Sequence, residues 1–249
     1  MDNNKPYDKS LAPLVSIIIP TWNGLELTKN CYNSIKEITS IPYEIIFVDN
    51  GSTDGTIEWL KGLTDAKYVI KPNSGFATAC NTGIEQASCR YTILLNNDTV
   101  VYPHWAEALY EGMHELNNCV IMASTCDFVG NHFQFFSSWN NIKPGLIRPF
   151  TNEVNFVCVM IDKEFWNEVK LDENYISGVE DIDYCWEAIK RGKSVWVSLM
   201  SFVHHEGSQT NIKEFGEEKM NKNLVHGWKY FAEKWGEEGK KRAGEYDNE

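Results

Sequence analysis

The chain of 249 residues has few positive charges, and this scarcity limits the partners that it can bind. Lys and Arg together number 23 against 35 Asp and Glu, which gives a formal net charge of −12. Such a charge argues against a nucleic-acid partner and gives no support for docking on an anionic membrane. An anionic ligand would therefore need a local remedy, such as backbone N–H groups or a metal ion.

Long apolar runs, a leader segment and paired cysteines are also missing. No apolar stretch approaches the roughly twenty residues of a membrane-spanning helix, and the segment from Met1 to Lys5 does not resemble a signal peptide. We therefore expect a cytoplasmic protein without a transmembrane segment. The seven cysteines form no Cys-x-x-Cys pair, and several lie inside apolar runs, which favours reduced thiols in a core.

The pattern of strands and helices predicts an α/β protein with one main core. Strands are predicted near 15–20, 44–49, 67–71 and 91–95, and helices at 26–38, 53–63 and 76–87 alternate with them. This alternation is typical of βαβ units and a largely parallel sheet. The second half is less regular, with helices predicted at 103–116, 163–169, 181–191 and 212–235, strands at 119–124, 154–161 and 195–198, and long loops over 128–148.

Three of the predicted strands end in polar residues. The apolar run from Tyr91 to Leu95 is followed by Asn96, Asn97 and Asp98, and two earlier runs end in Thr21-Trp22-Asn23 and in Asp49-Asn50-Gly51-Ser52. Ligands bind at the carboxyl ends of the strands in open α/β sheets. Three strands that bring polar tips to one edge predict a pocket there.

Five segments form an ordered set along the chain. They are Ser16-Ile17-Ile18-Ile19-Pro20-Thr21-Trp22-Asn23, Val48-Asp49-Asn50-Gly51-Ser52-Thr53-Asp54-Gly55, Asn73-Ser74-Gly75-Phe76-Ala77 with Asn81, Leu94-Leu95-Asn96-Asn97-Asp98, and Gly178-Val179-Glu180-Asp181-Ile182-Asp183. This set resembles family 2 glycosyltransferases with a GT-A fold, nearest in style to the bacterial rhamnosyltransferase-like branch. The resemblance runs from about Val15 to Thr210.

The resemblance implies a Rossmann-like GT-A fold, with a mostly parallel central sheet between helices. We expect a glycosyltransferase domain over residues 1–211, with its nucleotide-binding half at about 14–100 and its acceptor and catalytic half at about 101–211. Residues 212–249 are expected to form a C-terminal helical extension rather than a separate domain.

The same resemblance implies a UDP- or dTDP-activated sugar donor and an acceptor hydroxyl on a glycan, glycolipid or glycoprotein. A lipid-linked acceptor would bring the protein to the inner membrane surface. In the family, the position of Asp49 accepts the N3–H of uracil or thymine. The nucleotide site is expected to contain Pro20, Thr21, Asn23, Asp49, Asn50, Ser52, Asn73, Gly75, Phe76, Asn81, Asn96 and Asn97. Residues 49–52 also fit a simple turn with a helix cap, and residues 73–76 fit an ordinary capped helix.

A departing diphosphate gains negative charge, and a divalent cation usually offsets that charge where Lys and Arg are scarce. Asp98 is the candidate ligand. The family pattern is more often Asp-x-Asp, whereas the first position here is the neutral Asn96. The histidine pair near the C-terminus resembles the family's metal-binding His, which makes His205 the expected second ligand and His204 the alternative. Oxygen ligands suit Mn²⁺ or Mg²⁺, and an imidazole ligand favours manganese.

The general base is expected among the acids that begin a predicted helix. Glu180, Asp181 and Asp183 lie close together, and like charges at such spacing raise at least one pKa. For Asp183, favourable interaction with the helix dipole is a sufficient explanation. The resemblance to the family's Glu-Asp motif makes Asp181 the general base and assigns Glu180 to sugar hydroxyls. Direct displacement would invert the anomeric centre.

Two groups of aromatic residues fit two explanations each. An acceptor loop or a packed loop would each explain the first group, which is Phe128, Phe133, Phe135, Phe136 and Trp139. Core packing or a partner interface would each explain the second group, which is Trp228, Tyr230, Phe231 and Trp235.

Two rival functions stand beside glycosyl transfer. A sugar nucleotidyltransferase generally carries Arg or Lys in a Gly-rich loop after its first strand, and Pro20 to Gly24 contains no such cation. A carbohydrate- or nucleotide-binding module without turnover is suggested by Asn96.

Overall fold

The computed structural model describes residues 7–8, 11–127, 147–150, 153–176, 178–207 and 217–246. The strands in these ranges are β1 (Val15–Thr21), β2 (Tyr43–Asp49), β3 (Lys67–Ile70), β4 (Tyr91–Leu95), β5 (Thr99–Val101), β6 (Cys119–Cys126), β7 (Ile147–Phe150), β8 (Cys158–Asp162) and β9 (Ser194–His205). The helices are α1 (Leu25–Ile38), α2 (Thr56–Lys61), α3 (Phe76–Gln86), α4 (Trp105–Glu115), α5 (Lys163–Glu168), α6 (Glu180–Lys190) and α7 (Glu217–Tyr246). None of these helices is long and apolar enough to cross a bilayer.

The described strands form one sheet in the order β3-β2-β1-β4-β8-β6-β9-β5, and β7 pairs with β9. Strands β3, β2, β1 and β4 are parallel, as the alternating pattern predicts. Strand β8 runs antiparallel to both β4 and β6, and β6 is parallel to β9. The carboxyl ends of β1, β2, β4, β6 and β9 therefore lie along one edge of the sheet. The predicted fold, a mostly parallel sheet flanked by helices, is confirmed.

Alternating side chains of the central strands fill a core on each face of the sheet. In β1, Ile17 and Ile19 pack on the face that α1, α2 and α4 cover, whereas Ile18 packs on the face of α3, α5 and α6. Strands buried on both faces appear in a sequence as continuous apolar runs. This explains why the runs in β1, β2 and β4 predicted their strands well.

Several elements differ from the sequence-based prediction. Strand β8 begins at Cys158 rather than near residue 154, and β5 was not predicted. Strand β9 extends to His205 rather than ending near residue 198, because an irregularity in its pairing with β6 interrupts the alternation of side chains after Ser198. Within the predicted loop 128–148, residues 128–146 lie outside the described residues, and residues 147–148 belong to β7.

The predicted C-terminal helix is present and packs against the body of the protein. Helix α7 changes direction at Gly236, whose backbone φ of 63° and ψ of −137° suit glycine. Trp228 and Phe231 of α7 are buried in a third apolar cluster together with Tyr175 and Val179. Of the two explanations for these aromatic residues, core packing therefore applies to Trp228 and Phe231.

Candidate active site

The tips of β1 and β2 are joined through Asp49, which is fully buried. One carboxylate oxygen accepts hydrogen bonds from the backbone N–H groups of Gly51 and Ser52 at 2.9 and 2.8 Å. The other accepts from the hydroxyls of Ser52 and Thr21 at 2.5 and 3.2 Å. These protein donors thus occupy the roughly four acceptor positions of the carboxylate. A base N–H can reach it only by replacing one of them, and the bond from Thr21 is the longest.

Two neighbouring loops are bound to this turn by amide side chains. The backbone N–H of Asn23 donates to Ser52 Oγ at 2.7 Å, and Asn23 Oδ1 accepts from the N–H of Thr53 at 2.8 Å. From the tip of β4, Asn97 Nδ2 donates to Thr28 Oγ1 at 2.9 Å and to the carbonyl of Asn23 at 3.5 Å. The structure therefore brings the tips of β1, β2 and β4 together as predicted, with Pro20 buried in β1 beneath them.

The start of α3 adjoins the same edge. The N–H of Gly75 bonds to Asn73 Oδ1 at 3.1 Å, and the carbonyl of Gly75 accepts from Asn50 Nδ2 at 3.3 Å. No side chain caps this helix among the described residues, so its first N–H groups keep their capacity to bind an anion. Gly75 has a φ of 90°, and a Cβ placed there would lie 2.9 Å from the carbonyl oxygen of Ile176. The α3 start thus touches the loop that leads to α6, and the half-buried Phe76 begins the helix.

Asn81 occupies the interior of this region rather than its surface. Its Nδ2 donates to the carbonyl of Leu171 and to Glu173, at 2.9 and 2.8 Å. Its Oδ1 accepts from Trp166 Nε1 and from the N–H of Leu171, at 2.8 and 3.1 Å. These four bonds use the whole hydrogen-bonding capacity of the amide. Asn81 therefore fixes α3 to the segment before α6.

Asp98 and His205 come together across the pairing of β5 with β9. Thr99 pairs with His205, and the N–H of Glu206 donates to the carbonyl of Asp98 at 3.0 Å. His205 Nε2 lies 3.2 Å from Asp98 Oδ1, and both residues are buried. The short strand β5 is thus the element that unites the two predicted metal ligands.

His204 lies in a different group because successive side chains of a strand point to opposite faces. Its Nδ1 bonds to Asp127 Oδ2 at 2.5 Å, and its Nε2 lies 3.2 Å from Glu206 Oε1. The hydrogen bond with Asp127 raises the pKa of His204. A histidine held between two carboxylates in this way favours the protonated form. The structure therefore separates His204 from Asp98.

The distance between the donor atoms of Asp98 and His205 fits a divalent cation. Two neighbouring ligands of an octahedral ion with bonds of about 2.1 Å lie about 3 Å apart, close to the 3.2 Å observed here. The described residues contain no group of three His, Cys, Asp or Glu side chains that could hold a metal. Asn96 follows β4 with a half-buried side chain.

Glu180 and Asp181 begin α6 after an unusual loop. Gly178 and Val179 both have left-handed backbone conformations, with φ values of 87° and 75°. For a β-branched residue such as Val179 this conformation is rare, and it costs about 1–3 kcal/mol. Strain of this size persists where surrounding contacts enforce it, and it occurs often at functional sites. The loop presents the first turn of α6 in a defined position.

The two carboxyl groups of this turn have unequal environments. Burial, together with the charge of Asp181, raises the pKa of Glu180. Burial also raises the pKa of Asp181, although the N–H groups of Ile182 and Phe156 oppose this shift. Since two adjacent carboxylates repel each other and Glu180 is the more buried of the two, the pKa of Glu180 is raised further than the pKa of Asp181. Glu180 Oε2 is buried and has no hydrogen-bond partner among the described residues.

The carboxylate of Asp183 is surrounded by hydrogen-bond donors of the protein. Its carboxylate accepts hydrogen bonds from Lys234 Nζ at 2.7 Å, from Trp235 Nε1 at 2.8 Å and from Tyr175 O–H at 3.1 Å. Two of these donors lie on α7. Asp183 therefore holds α6 against the C-terminal helix, in addition to its interaction with the dipole of α6.

Sequence reasoning missed several residues around the site. Glu153, whose charge also raises the pKa of Asp181, forms a bidentate ion pair with Arg242 of α7. The partnership of Asp127 with His204 was also missed. None of these contacts has a local sequence signal, because each joins residues that are distant along the chain. Gly178 was the one visible sign of the left-handed loop.

Comparisons with known proteins concern the family and the fold of the chain. The family model described as Glycosyl transferase family 2 matches residues 16–161, which is more than half of the chain. Glycosyltransferase AglE of Haloferax volcanii is 32% identical over 226 residues, covering 84% of this chain and 70% of that protein. An uncharacterized glycosyltransferase of Rickettsia bellii is 25% identical over 228 residues, covering 83% of this chain and 32% of that protein.

A solved structure extends the comparison to three dimensions. The crystal structure of GalNAc-T7 with UDP, GalNAc and Mn²⁺ matches with a TM-score of 0.64 at 16% identity, covering 80% of this chain and 44% of that one. At this identity the likeness concerns the fold. The chain spans about a third of the length of the Rickettsia bellii relative and 70% of AglE.

Proposed function

The chain belongs to glycosyl transferase family 2 and has a GT-A fold, and from this membership we propose that it transfers a sugar from a UDP- or dTDP-activated donor to an acceptor hydroxyl. The acceptor is a glycan, glycolipid or glycoprotein, and the anomeric centre is inverted. The observation that carries this proposal is the Glu180–Asp181 pair at the start of α6, in which Glu180 is buried and its Oε2 has no hydrogen-bond partner among the described residues.

The donor nucleotide is assigned to the half of the chain at about 14–100. Support comes from the joined tips of β1, β2 and β4 and from the uncapped start of α3 beside them. In this proposal the N3–H of uracil or thymine replaces the Thr21 hydroxyl as a hydrogen-bond donor to Asp49. The distance from Thr21 Oγ1 to Asp49 Oδ2 is 3.2 Å. Asn73, Gly75 and the first N–H groups of α3 face the diphosphate, where a positive dipole end favours an anion.

A divalent cation, Mn²⁺ or Mg²⁺, is assigned to Asp98 and His205. When bound there, it would stabilise the negative charge of the departing nucleoside diphosphate. The imidazole of His205 favours Mn²⁺. Asn96, in place of an acid, leaves this site one anionic ligand short, and an amide oxygen there can accept a hydrogen bond from the ribose or from a metal-bound water.

Asp181 acts as the general base from the half of the chain at about 101–211. Its carboxylate removes the proton of the acceptor hydroxyl as the acceptor oxygen bonds to the anomeric carbon, and the bond from that carbon to the diphosphate oxygen breaks. A base functions best with a pKa near the working pH, and burial moves the pKa of Asp181 in that direction. Glu180 Oε2, which has no hydrogen-bond partner among the described residues, is assigned to a sugar hydroxyl, and the hydroxyl reaches it only if the surrounding groups move.

Asp181→Asn tests this assignment. Wild type and variant are incubated with Mn²⁺ and a panel of UDP-glucose, UDP-GalNAc and dTDP-rhamnose, and nucleotide release is followed with water as the acceptor. Loss of a general base should lower turnover by about 10²- to 10⁴-fold, while the affinity for UDP, measured by calorimetry with Mn²⁺, should stay within about twofold because Asp181 is assigned to the acceptor side.

The matched control is Glu187→Gln, which removes another acid of α6 and should leave turnover near the wild-type value. Near-normal turnover of Asp181→Asn would show that the base is a different residue. Tight UDP binding by a wild-type protein that releases nucleotide from none of the donors would instead favour the binding module, which the neutral Asn96 suggests.

A further inference from the structure

The left-handed loop before Glu180 is in direct contact with helix α7. A Cβ placed at Gly227 would lie 2.9 Å from the carbonyl oxygen of Gly178 and 3.2 Å from Val179 Cγ2. A Cβ placed at Gly178 would lie 2.9 Å from Leu224 Cδ1. Gly227 therefore has no room for a side chain beside the backbone carbonyl of Gly178, and at Gly178 a Cβ would displace the end of the Leu224 side chain. Val179, which is buried, packs in the same cluster as Trp228 and Phe231.

Helix α7 is fixed to the body of the protein at two places that are C-terminal to this contact. Lys234 forms ion pairs with Asp183 at 2.7 Å and with Asp172 at 2.9 Å. Beyond the bend at Gly236, Arg242 donates two hydrogen bonds to Glu153. Its Nε and Nη2 each lie 2.8 Å from a carboxylate oxygen of Glu153. The helix is thus fastened to the segment before α6, to α6 itself and to the segment before β8. These pairs hold the part of α7 that follows the contact with Gly178 and Val179.

The contact bears on the catalytic pair because Val179 immediately precedes Glu180. The carbonyl of Val179 accepts the hydrogen bond of the Asp183 N–H at 2.9 Å, so the loop and the first turn of α6 move as one unit. A strained backbone keeps its conformation only where neighbouring groups enforce it. Among the described residues, Leu224 of α7 is the group that a Cβ at Gly178 would meet, apart from its chain neighbours.

We propose that α7 is a positioning element for the reaction: Gly227 and Leu224 hold the Gly178–Val179 loop in its left-handed conformation and so set the position of Asp181. This inference rests on the proposed function, because it assumes that Asp181 is the base. Gly227 and Leu224 contact neither substrate nor base in this proposal, and they act through the loop.

Gly227→Ala and Gly244→Ala form a matched pair of variants on the same helix. A Cβ at Gly227 would meet the Gly178 carbonyl, whereas a Cβ at Gly244 would meet no described residue within 4 Å apart from its own neighbours in the helix. A displacement of about 1 Å in a catalytic group can lower turnover by about 10²-fold. We therefore expect Gly227→Ala to lower kcat for nucleotide release by about 10- to 100-fold, with KM for the donor and Kd for UDP within about twofold. Gly244→Ala should match the wild type in all three.

Leu224→Ala and Val225→Ala provide a second pair in case Gly227→Ala does not fold. Leu224 contacts Gly178, whereas its neighbour Val225 is 64% exposed. Leu224→Ala removes a contact without inserting an atom, and we expect a lower kcat at unchanged KM, with Val225→Ala at the wild-type value. Each kcat is calculated per molecule that binds UDP, so that loss of folded protein does not count as loss of positioning.

The outcomes separate this inference from the proposed function. A kcat reduced in Gly227→Ala or Leu224→Ala but not in the controls, at constant KM, supports the positioning role. If Asp181→Asn is inactive while both α7 variants keep wild-type kcat, or lose kcat and donor affinity together, the positioning role is wrong and the base assignment stands. If Asp181→Asn remains active, the proposed function fails first and the inference fails with it.

Discussion

Replacement of Lys234 by Met should show how strongly α7 is fixed to α6. The ammonium group lies 2.7 Å from the carboxylate of Asp183, whose side chain is only 2% exposed. Removal of one partner from a buried ion pair costs about 3–5 kcal/mol. Here Asp183 keeps its hydrogen bonds from Trp235 and Tyr175, and the Lys234 side chain is 24% exposed, so that water screens part of the interaction. We therefore expect Lys234→Met to lower the free energy of unfolding by about 2–3 kcal/mol.

A double-mutant cycle with Asp183→Asn measures the pair itself. The asparagine retains an oxygen that can accept from Trp235 and Tyr175, but it has no charge that needs Lys234. The double variant should therefore be more stable than the sum of the single changes predicts, with a coupling of about 1–2 kcal/mol in urea unfolding at pH 7. Additive changes, or a Lys234→Met protein within about 0.5 kcal/mol of the wild type, would refute an energetic link between the two helices.

The same pair has a definite dependence on pH. Burial alone would lower the pKa of Lys234, but its hydrogen bonds with Asp183 and Asp172 outweigh burial and shift the pKa upward. A group whose pKa is raised by folding stabilises the folded state below its unfolded pKa, which is about 10.4 for Lys. The stability difference between wild type and Lys234→Met should therefore be constant at neutral pH and shrink as the pH rises above about 10.

The remaining predictions concern the base and the cation. Because burial raises the pKa of Asp181 and a base must be ionised, kcat/KM should rise with pH through a midpoint above the usual Asp value of about 4. Arg242→Met should move this midpoint to higher pH, since it leaves the Glu153 charge near Asp181 without its ion pair; an unchanged profile would exclude that coupling. His205→Ala should weaken Mn²⁺ binding about tenfold or more in calorimetric titration with UDP, while His204→Ala should leave it nearly unchanged, and equal effects would contradict the choice of ligand.

The sequence predicted the parallel half of the sheet well because its information there is local. Strands such as β1 and β4 are continuous apolar runs, and the polar residues after them mark their carboxyl ends. Strand β5 has only three residues, which is too short for a periodic pattern, and β9 contains an irregularity that breaks its alternation. Both elements form through pairing between distant parts of the chain.

The choice between His204 and His205 shows the same limit. Adjacent residues of a strand face opposite sides, so the face that each histidine occupies depends on the register of β9 with β5. Motif similarity favoured His205, and the structure places His205 beside Asp98. The identity of the metal ligands stays a prediction.

Interior partners could not be predicted either. Asp49 and Asn81 were chosen because polar residues in these motifs suggest ligand contacts, yet each has its hydrogen-bonding positions filled by protein groups. A sequence shows which groups can form hydrogen bonds but not which partners surround them. The same holds for Asp183, whose partners on α7 lie about fifty residues further along the chain.

The bend at Gly236 has a consequence for the order in which the protein matures during translation. It turns the last part of α7 back so that Arg242 reaches Glu153, a residue synthesised 89 positions earlier. Domains fold from the N-terminus as the chain emerges from the ribosome. Strands β1 to β4 can therefore assemble first, while the ion pair between Arg242 and Glu153 waits until residue 242 has emerged. A nascent chain halted between Asp181 and Arg242 would carry Asp181 without the ion pair that offsets the nearby charge of Glu153.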